Sequence, residues 1–375
     1  MENLSAVVID NGSYMTKVGF SGEESPKVEV RTVVAQWKTE ILGLDRPSCY
    51  VGEKAIEMNK KASNILNMSN PISHGNVSDW EALKLLERMI ALIDLRIEPS
   101  EYNVFITEHP DATKACREKM AEILLESYPV EYKGLSFGMS PAMSLYASGN
   151  TSGVSIDSGD GCTWCVPVYE GVVLREGIRP IKVSGNDMTE YFNKLIAGKV
   201  AEYPDLADIN LVREIKEKFV YLANDYEEEL KKPEDQIEKQ YELPDGRIVK
   251  IGKECFTCGE MVFHPQMAGI EENGIHQVIN ESINKCDIYT RTILYGNILL
   301  SGGTSMVFNN NTRFEMELKK LAPSQIIKRN HIDNTINASW IGASILTSLT
   351  SFQKMWVTRE DYEEKGVAVF GNLTL

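Results

Sequence analysis

Residues 155–161 read Ser-Ile-Asp-Ser-Gly-Asp-Gly, and residues 162–169 continue as Cys-Thr-Trp-Cys-Val-Pro-Val-Tyr. Apolar residues flank the Asp-Ser-Gly-Asp-Gly segment on both sides, which predicts a strand, a tight turn and a second strand. The two glycines and the serine leave the backbone N–H groups of this turn open to an anion such as a phosphate. Asp157 and Asp160 would repel that phosphate unless a cation lay between them, and Mg²⁺ usually binds one or two carboxylates together with phosphate oxygens. The stretch therefore predicts a site for a phosphate and a divalent cation.

The same pattern occurs near the start of the chain. Residues 7–13 read Val-Val-Ile-Asp-Asn-Gly-Ser, and residues 15–20 read Met-Thr-Lys-Val-Gly-Phe. Lys17 in this copy stands where the later copy has Thr163 and Trp164. Two phosphate hairpins in one chain suggest a duplicated domain with a nucleotide clamped between the copies. The alternative is that both are ordinary β-turns, since Asp-Gly and Asn-Gly are common turn formers.

Length and charge limit the class of protein. The chain has 375 residues, of which 43% are hydrophobic, and a formal net charge of −15. This length favours two lobes over a single core. The negative charge argues against nucleic acid or an anionic membrane as the main partner. The first residues lack the basic region of a signal peptide and no apolar run reaches membrane-spanning length, so we expect no membrane insertion.

The cysteines predict a reduced setting, because seven of them are scattered along a chain that we expect not to be secreted. Two pairs have the C-x-x-C form, Cys162 with Cys165 and Cys255 with Cys258. Structural zinc sites use such pairs at a much shorter separation from each other. The pattern therefore favours buried small side chains over a zinc site.

Strands alternate with helical patterns along the chain, which predicts the α/β class. One helix should begin at Asp79 and carry an apolar face that extends to Ile93, and a long helix should cover residues 210–230. A third junction between a strand and a glycine turn reads Asn-Ile-Leu-Leu-Ser-Gly-Gly-Thr-Ser-Met at 297–306. It would allow the close approach of a flat or anionic ligand group.

Motifs along the whole chain resemble those of the actin and actin-related family. They are Val-Ile-Asp-Asn-Gly-Ser at 8–13, Leu-Tyr-Ala-Ser-Gly at 145–149, Asp-Ser-Gly-Asp-Gly at 157–161, Ile-Lys-Glu-Lys at 215–218, Tyr-Glu-Leu-Pro-Asp-Gly at 241–246, Leu-Ser-Gly-Gly-Thr at 300–304, Trp-Ile-Gly at 340–342 and Ser-Phe-Gln-Lys-Met-Trp at 351–356. The similarity runs from end to end without large insertions. It does not distinguish a conventional actin from an actin-related protein.

The resemblance implies the two-lobed actin fold, an α/β fold with a duplicated ribonuclease-H-like core and a nucleotide cleft between the lobes. The outer lobe would comprise residues 1–140 plus 338–375, with a mobile-loop subdomain at about 33–70. The inner lobe would comprise residues 141–337, with a subdomain at about 185–273.

The resemblance also implies that ATP or ADP binds in the cleft with Mg²⁺ or Ca²⁺. Asp10 and Asp157 match the acids that hold the hydrated cation. Lys17 would supply a point charge to the phosphates. Lys216 and Glu217 would offer a hydrogen-bond donor and an acceptor to the adenine and ribose. The residues that match the phosphate loops and the nucleoside pocket are Gly12, Ser13, Tyr14, Met15, Lys17, Gly159, Asp160, Gly161, Gly185, Arg213, Lys216, Glu217, Gly303, Thr304 and Met306.

Two departures from the family concern catalysis. Actins carry a glutamine that positions the attacking water just before the Leu-Tyr-Ala-Ser-Gly helix, and the matching residue here is Ser140. They also carry a histidine three residues after the second phosphate loop, and here that residue is Trp164. Serine is too short to reach the same water, and tryptophan offers only a donor. No firm catalytic residue follows, and we expect at most a slow ATPase.

Other departures concern the nucleotide pocket. Tyr14 replaces a glycine of the first phosphate loop, which places a bulky ring beside the phosphates. Val307 stands where a tyrosine usually stacks near the base, and Ile336 where a lysine usually lies against the nucleotide. Weaker or less selective base binding is therefore expected. His74 matches a histidine that is often methylated, although Ser73 before it is unusual for that motif.

Three surfaces would carry filament and partner contacts by family analogy. The mobile loop at 37–49 holds Ile41, Leu42 and Leu44, which mark either a docking site or a segment folded back on its own lobe. The plug loop at 263–271 is less bulky than expected. A groove for actin-binding proteins would lie near Tyr146, Tyr169, Leu346, Leu349 and Met355, which by composition alone would be plain core.

The function that these observations favour is a divergent actin-like ATP-binding cytoskeletal protein that forms filaments with itself or with other actin-like subunits. The alternative is a non-polymerising actin-related subunit of a larger complex, of the dynactin-like, branching or chromatin-remodelling type. Sugar kinases and chaperone ATPases share the fold, but the end-to-end match argues against them. We expect a cytoplasmic protein, with the nucleus as the other setting, and neither nucleic acid nor a membrane as partner.

Overall fold

The computed structural model describes residues 6–38, 49–127, 129–308 and 312–372, without the side chains of the last two. Most of the predicted mobile loop, with Ile41, Leu42 and Leu44, lies outside these ranges. The strands are β1 (Val7–Asn11), β2 (Met15–Phe20), β3 (Val28–Arg31), β4 (Val34–Trp37), β5 (Cys49–Val51), β6 (Leu66–Ser69), β7 (Ile72–Ser73), β8 (Asn76–Val77), β9 (Asn103–Glu108), β10 (Gly134–Met139), β11 (Gly153–Ser158), β12 (Thr163–Tyr169), β13 (Val172–Val173), β14 (Arg179–Ile181), β15 (Lys239–Glu242), β16 (Ile248–Ile251), β17 (Ile298–Ser301), β18 (Arg329–Asn330) and β19 (Val357–Thr358).

The α-helices surround these strands and confirm the α/β class. They are α1 (Gly52–Ala62), α2 (Trp80–Met89), α3 (Lys114–Glu126), α4 (Ser140–Ala147), α5 (Gly185–Ile196), α6 (Ile209–Phe219), α7 (Tyr226–Leu230), α8 (Glu234–Ile237), α9 (Glu254–Glu260), α10 (Ile275–Lys285), α11 (Ile288–Tyr295), α12 (Arg313–Leu321), α13 (Ala338–Ser348) and α14 (Arg359–Lys365).

Two larger sheets share one local topology. In the first sheet, ordered β19-β10-β9-β1-β2-β3, β1 pairs antiparallel with β2 and parallel with β9. In the second sheet, ordered β13-β12-β11-β17-β18, β11 pairs antiparallel with β12 and parallel with β17. The two hairpins predicted from the sequence are therefore confirmed, and each begins a sheet motif of the same kind.

Helices α4 and α13 join the two sheets. One apolar cluster contains Val8 and Phe105 of the first sheet, Val166 of the second sheet, Met143 of α4 and Trp340 of α13. The indole N–H of Trp340 donates to the carbonyl oxygen of Val8 at 3.0 Å, so a buried polar group is satisfied within this cluster. A single core therefore continues from one sheet to the other.

The closest approach between α13 and α4 lies at Gly342. A Cβ atom added there would collide with the backbone carbonyl of Met143. We expect Gly342→Ala to lower the free energy of unfolding by about 1–3 kcal/mol, because the helices must separate. Gly198→Ala is the matched control, since a Cβ at Gly198 meets open space. Chemical denaturation of both variants checks this, and equal stabilities would contradict it.

The sequence pattern was wrong about two helices. The helix predicted over 210–230 ends at Phe219, and α7 begins anew where the Asp225 side chain accepts from the backbone N–H of Glu228. Helix α2 begins where predicted, with Asp79 as its N-cap, but it continues as a π-helix over Ile90–Leu95. A π-turn holds more residues than an α-turn, so Ile93 leaves the apolar face and is 57% exposed.

The paired cysteines lie mostly in the core. Cys165, Cys255 and Cys258 are buried and Cys162 is half-buried, all as free thiols. Across the described ranges, no helix is both long and apolar enough to cross a membrane.

Candidate functional site

Equivalent backbone hydrogen bonds close the turns of the two hairpins. The N–H of Gly12 donates to the carbonyl of Met15 at 3.1 Å, and that of Gly159 to the carbonyl of Cys162 at 3.0 Å. The turns also approach each other, since a Cβ at Gly161 would collide with the Ser13 hydroxyl. That hydroxyl accepts a hydrogen bond from the N–H of Gly75 at 2.9 Å. The second turn therefore requires glycine at 161.

A cavity of about 990 Å³ lies between these turns. Most of the predicted site residues form its wall, and the structure thus brings together both hairpins, the glycine turn after β17 and helix α6. The predicted residues in the wall are Asp10, Gly12, Ser13, Tyr14, Met15, Lys17, Ser140, Asp157, Gly159, Asp160, Gly161, Trp164, Lys216, Glu217, Gly303, Thr304 and Met306.

Gly185 and Arg213 are predicted site residues outside this wall that bind residues within it. Arg213 forms an ion pair with Asp160. The N–H of Gly185 donates to the carbonyl of Gly159 at 2.9 Å, and its carbonyl accepts from Lys216 at 3.1 Å. Their contacts fix the second turn against α6.

The first carboxylate of the site is held in place from two sides. Asp10 Oδ1 accepts from the Thr107 hydroxyl at 2.5 Å, and Oδ2 lies 3.0 Å from Lys17 Nζ. Lys17 Nζ also donates to the carbonyl of Ile336 at 2.7 Å. Asp10 and Lys17 are directly paired across β1 and β2, so the hairpin itself sets this ion pair. Lys17 thus presents a fixed positive charge at the cavity.

The second carboxylate, Asp157, lies near the end of β11. Burial raises the pKa of Asp157 to about 6, and the nearby Asp10 carboxylate adds to the rise, while Lys17 and hydrogen bonds from Ser140 and Ser301 oppose it. An acid pair in this setting is favourable only when a positive charge compensates it.

This donor set fits a hydrated divalent cation. Asp10 and Asp157 both line the cavity, and the described residues contain no group of three or more acidic, histidine or cysteine side chains that could hold a metal ion by themselves. Mg²⁺ typically keeps several waters and takes one or two protein carboxylates plus phosphate oxygens. Asp10 and Asp157 are the residues that would hold such a cation.

Another part of the cavity wall is built around the glycine turn after β17. Gly302 has φ +81°, and a Cβ there would collide with the Ser158 carbonyl, so the turn lies close against the second hairpin. The Thr304 hydroxyl donates to the Gly159 carbonyl at 2.9 Å. Burial lowers the pKa of Lys216. Met306 and Ile336 line the cavity and are 45% exposed, so they form an apolar part of its rim.

The two positions that depart from the family pattern also face the cavity. Ser140 begins α4 and hydrogen-bonds to Asp157. Trp164 directly faces Asp157 across the β11–β12 pair. Among the described residues its buried indole nitrogen forms no regular hydrogen bond, although the Cys162 thiol lies near it. A buried donor of this kind is available to a ligand.

Sequence reasoning missed a buried acid behind the first turn. Glu87 of α2 is 2% exposed and accepts from Asn11 Nδ2 at 2.8 Å. The Asn11 oxygen accepts from Thr16, and Thr32 donates to the Gly12 carbonyl at 2.7 Å. Burial raises the pKa of Glu87 to about 7, with the Asn11 hydrogen bond opposing the rise. Nothing in a local pattern indicates a contact between residues 11 and 87.

This acid predicts a pH-dependent stability. The folded pKa of about 7 exceeds the ordinary 4.5, so the cost of ionising buried Glu87 is absent below pH 4.5 and complete above pH 7. The difference corresponds to about 3 kcal/mol. We expect Glu87→Gln to remove that much of the stability lost between pH 5 and pH 8. Urea denaturation at both pH values checks this against exposed Glu81→Gln, and identical pH dependence in both variants would contradict it.

Other unpredicted residues complete the wall. Thr107 is the penultimate residue of β9, which is parallel to β1, so the rule that parallel strands end at a common edge could have found it. His109 and Cys162 lie near Gly75, while Glu29 pairs with Lys17 across β2 and β3. The full set of such residues is Asn11, Glu29, Gly75, Thr107, Glu108, His109, Cys162, Met188, Lys218, Phe219, Val220, Tyr221, Lys239, Gly302, Thr335 and Ser339. Val307 and Ile336, which the resemblance places at the nucleotide, also line the cavity.

The predicted partner surfaces are partly exposed. In the groove, Tyr146 donates to the Gly171 carbonyl at 3.0 Å, Tyr169 and Leu346 are half-buried, and Leu349 and Met355 are exposed. These residues are therefore not plain core.

The plug loop and the region of His74 are also described. In the plug loop, Met267 is exposed and Ile270 packs on the core. His74 has φ +47° and lies against Gly161 of the second turn.

The comparison with protein families agrees with this geometry. The sequence model of the family described as Actin matches residues 1–372. Members of this family generally bind a nucleotide and a divalent cation. The chain belongs to the actin family and has the fold of an actin-like nucleotide-binding protein.

Proposed function

We propose that this protein binds ATP or ADP with Mg²⁺ or Ca²⁺ between its two larger sheets, where the nucleotide acts mainly as a structural clamp. The observation that carries the proposal is the pair of identically bonded turns, which place Asp10 and Asp157 in the wall of one cavity. The sheets belong to the proposed outer lobe, 1–140 plus 338–375, and inner lobe, 141–337.

Each part of the cavity has a role in binding. Backbone N–H groups of both turns would donate to the phosphate oxygens, and Lys17 would neutralise part of the phosphate charge. A bound cation would supply the remaining positive charge between the phosphates and the two carboxylates. Lys216 and Glu217 offer a donor and an acceptor at the nucleoside end, while the aliphatic rim supports a base without stacking it.

Slow turnover follows from what faces the phosphates. Hydrolysis requires a group that orients the attacking water and accepts its proton. The Trp164 indole can only donate, and the Ser140 hydroxyl is already bonded to Asp157. The cavity therefore holds the nucleotide better than it activates water.

We further propose a cytoskeletal role in which the chain assembles with itself or with other actin-like subunits. The exposed parts of the groove and of the plug loop support this, because they leave apolar side chains such as Leu349, Met355 and Met267 available to partners. The groove would receive actin-binding proteins. The setting would be the cytoplasm, with the nucleus as the alternative.

Sedimentation tests the assembly proposal. We expect a pelleted fraction that grows with protein concentration in ATP, Mg²⁺ and salt, and that decreases when the cation is chelated. Met267→Asp, at an exposed plug-loop position, should reduce pelleting, while Ile248→Asp, at an exposed site in the β15–β16 hairpin, serves as control. A protein that stays monomeric at every concentration, and that co-purifies with fixed partners, would favour the non-polymerising subunit instead.

A further inference from the structure

The ring of Tyr14 lies between two guanidinium groups. Arg31 Cζ is 3.9 Å from the ring centroid, and Arg213 Cζ is 4.4 Å from it. Both distances lie within the range of cation–π attraction, which is stronger when water is excluded. Tyr14 is half-buried, so its ring is partly shielded.

The two arginines belong to different parts of the fold. Arg31 ends β3 and pairs with Met15 of β2, while the N–H of Thr32 donates to the Tyr14 carbonyl at 2.9 Å. Tyr14 and Arg31 are therefore held by the first sheet. Arg213 lies on α6, whose Val212 and Ile215 share one core cluster with the second sheet. The stack bridges the two sheets at the edge of the cavity.

Polar contacts also hold the guanidinium groups of Arg31 and Arg213 in place. Arg213 pairs with Asp160 of the second turn and donates to Asn186 Oδ1 at 3.3 Å. Arg31 Nη2 donates to Asn210 Oδ1 at 3.4 Å, and its Nη1 lies 3.7 Å from Glu53. Since Asn210 is also on α6, the first sheet contacts this helix twice.

We infer that Tyr14, Arg31 and Arg213 form a latch that joins the two sheets across the mouth of the cavity and slows nucleotide release. Helix α6 carries Lys216 and Glu217 of the cavity wall, so opening the cavity on this side must part the Tyr14 ring from Arg213. Tyr14 is a positioning residue in this role. The release part of the inference rests on the proposed nucleotide binding, whereas the latch itself does not.

Hydrogen–deuterium exchange tests the latch without added nucleotide. Tyr14→Ala should increase amide exchange both in residues 12–16 and in residues 209–213, because each side loses its contact with the other. Tyr14→Phe keeps the ring and should resemble the parent protein. Unchanged exchange in 209–213 of Tyr14→Ala would overturn the latch.

The effect of the latch on nucleotide release is tested with a fluorescent ATP analogue. The bound analogue is displaced by excess ATP and its release rate is measured. We expect Tyr14→Ala to release it about tenfold faster, with Tyr14→Phe within about twofold of the parent. Arg31→Gln leaves the cavity wall intact and should accelerate release about threefold, but add little to Tyr14→Ala in the double variant. Lys27→Ala is the matched control, since Lys27 lies 4.6 Å from the Phe20 ring at the far end of the same hairpin.

The outcomes of these experiments distinguish failure of the latch from failure of the proposed nucleotide binding. Parent-like release from Tyr14→Ala, or independent effects of Tyr14→Ala and Arg31→Gln, would overturn the latch as a control on release. A parent protein that binds no analogue would overturn the proposed function and the release step together, while hydrogen exchange would still decide whether the latch exists.

Discussion

Asp157→Ala should abolish cation-dependent nucleotide binding, with a loss of affinity of at least about 100-fold in Mg²⁺. Asp157 lies near Asp10, and both carboxylates line the cavity where a cation would bind. Removing one leaves the other with Lys17 alone, which cannot replace a divalent cation between the protein and the phosphates.

Calorimetric titration with ATP, in Mg²⁺ and in chelator, measures this loss. Asp94→Ala is a charge-matched control, because Asp94 is an exposed carboxylate on the π-helix away from the cavity. Affinity of Asp157→Ala equal to that of the control, and equally sensitive to chelation, would contradict the assignment of Asp157.

The second large effect concerns turnover. Ser140→Gln combined with Trp164→His should raise phosphate release by about 10²-fold or more, since positioned acid–base groups typically contribute 10²–10⁴-fold. The glutamine side chain is long enough to reach beyond Asp157, and a histidine at 164 would face that residue across the strand pair and could accept as well as donate. The parent protein should release phosphate very slowly, even under polymerising conditions.

A single variant at position 164 serves as a control for this test. Trp164→Phe removes the buried indole N–H without adding an acceptor, so it should not accelerate release. A parent rate as high as that of the double variant would show that another group positions the water. No gain in the double variant would contradict the assignment of slow turnover to Ser140 and Trp164.

The parts of the site that follow from local rules were predictable. A strand that ends in Asp and enters a glycine turn directs its carboxylate and its backbone N–H groups to one edge, so the local pattern alone predicts that Asp10 and Asp157 face a ligand. Helix starts were predictable where a capping side chain is present, as at Asp79.

The rest depends on contacts between distant segments. The end of α6 at Phe219 and the π-helix that turns Ile93 outward interrupt patterns that look regular over a short window. The Glu87–Asn11 hydrogen bond and the Arg31–Tyr14–Arg213 stack join residues separated by up to about half of the chain. Side-chain periodicity carries no signal for such pairs, because it reports only which face of an element is buried.

The most direct test of the account is the stoichiometry and cation dependence of ATP binding to the unmodified protein, measured by isothermal titration calorimetry. The account predicts saturable binding of one ATP per chain in Mg²⁺, with a large loss of affinity in chelator. Absence of saturable binding, or binding that is equally tight without any divalent cation, would contradict it.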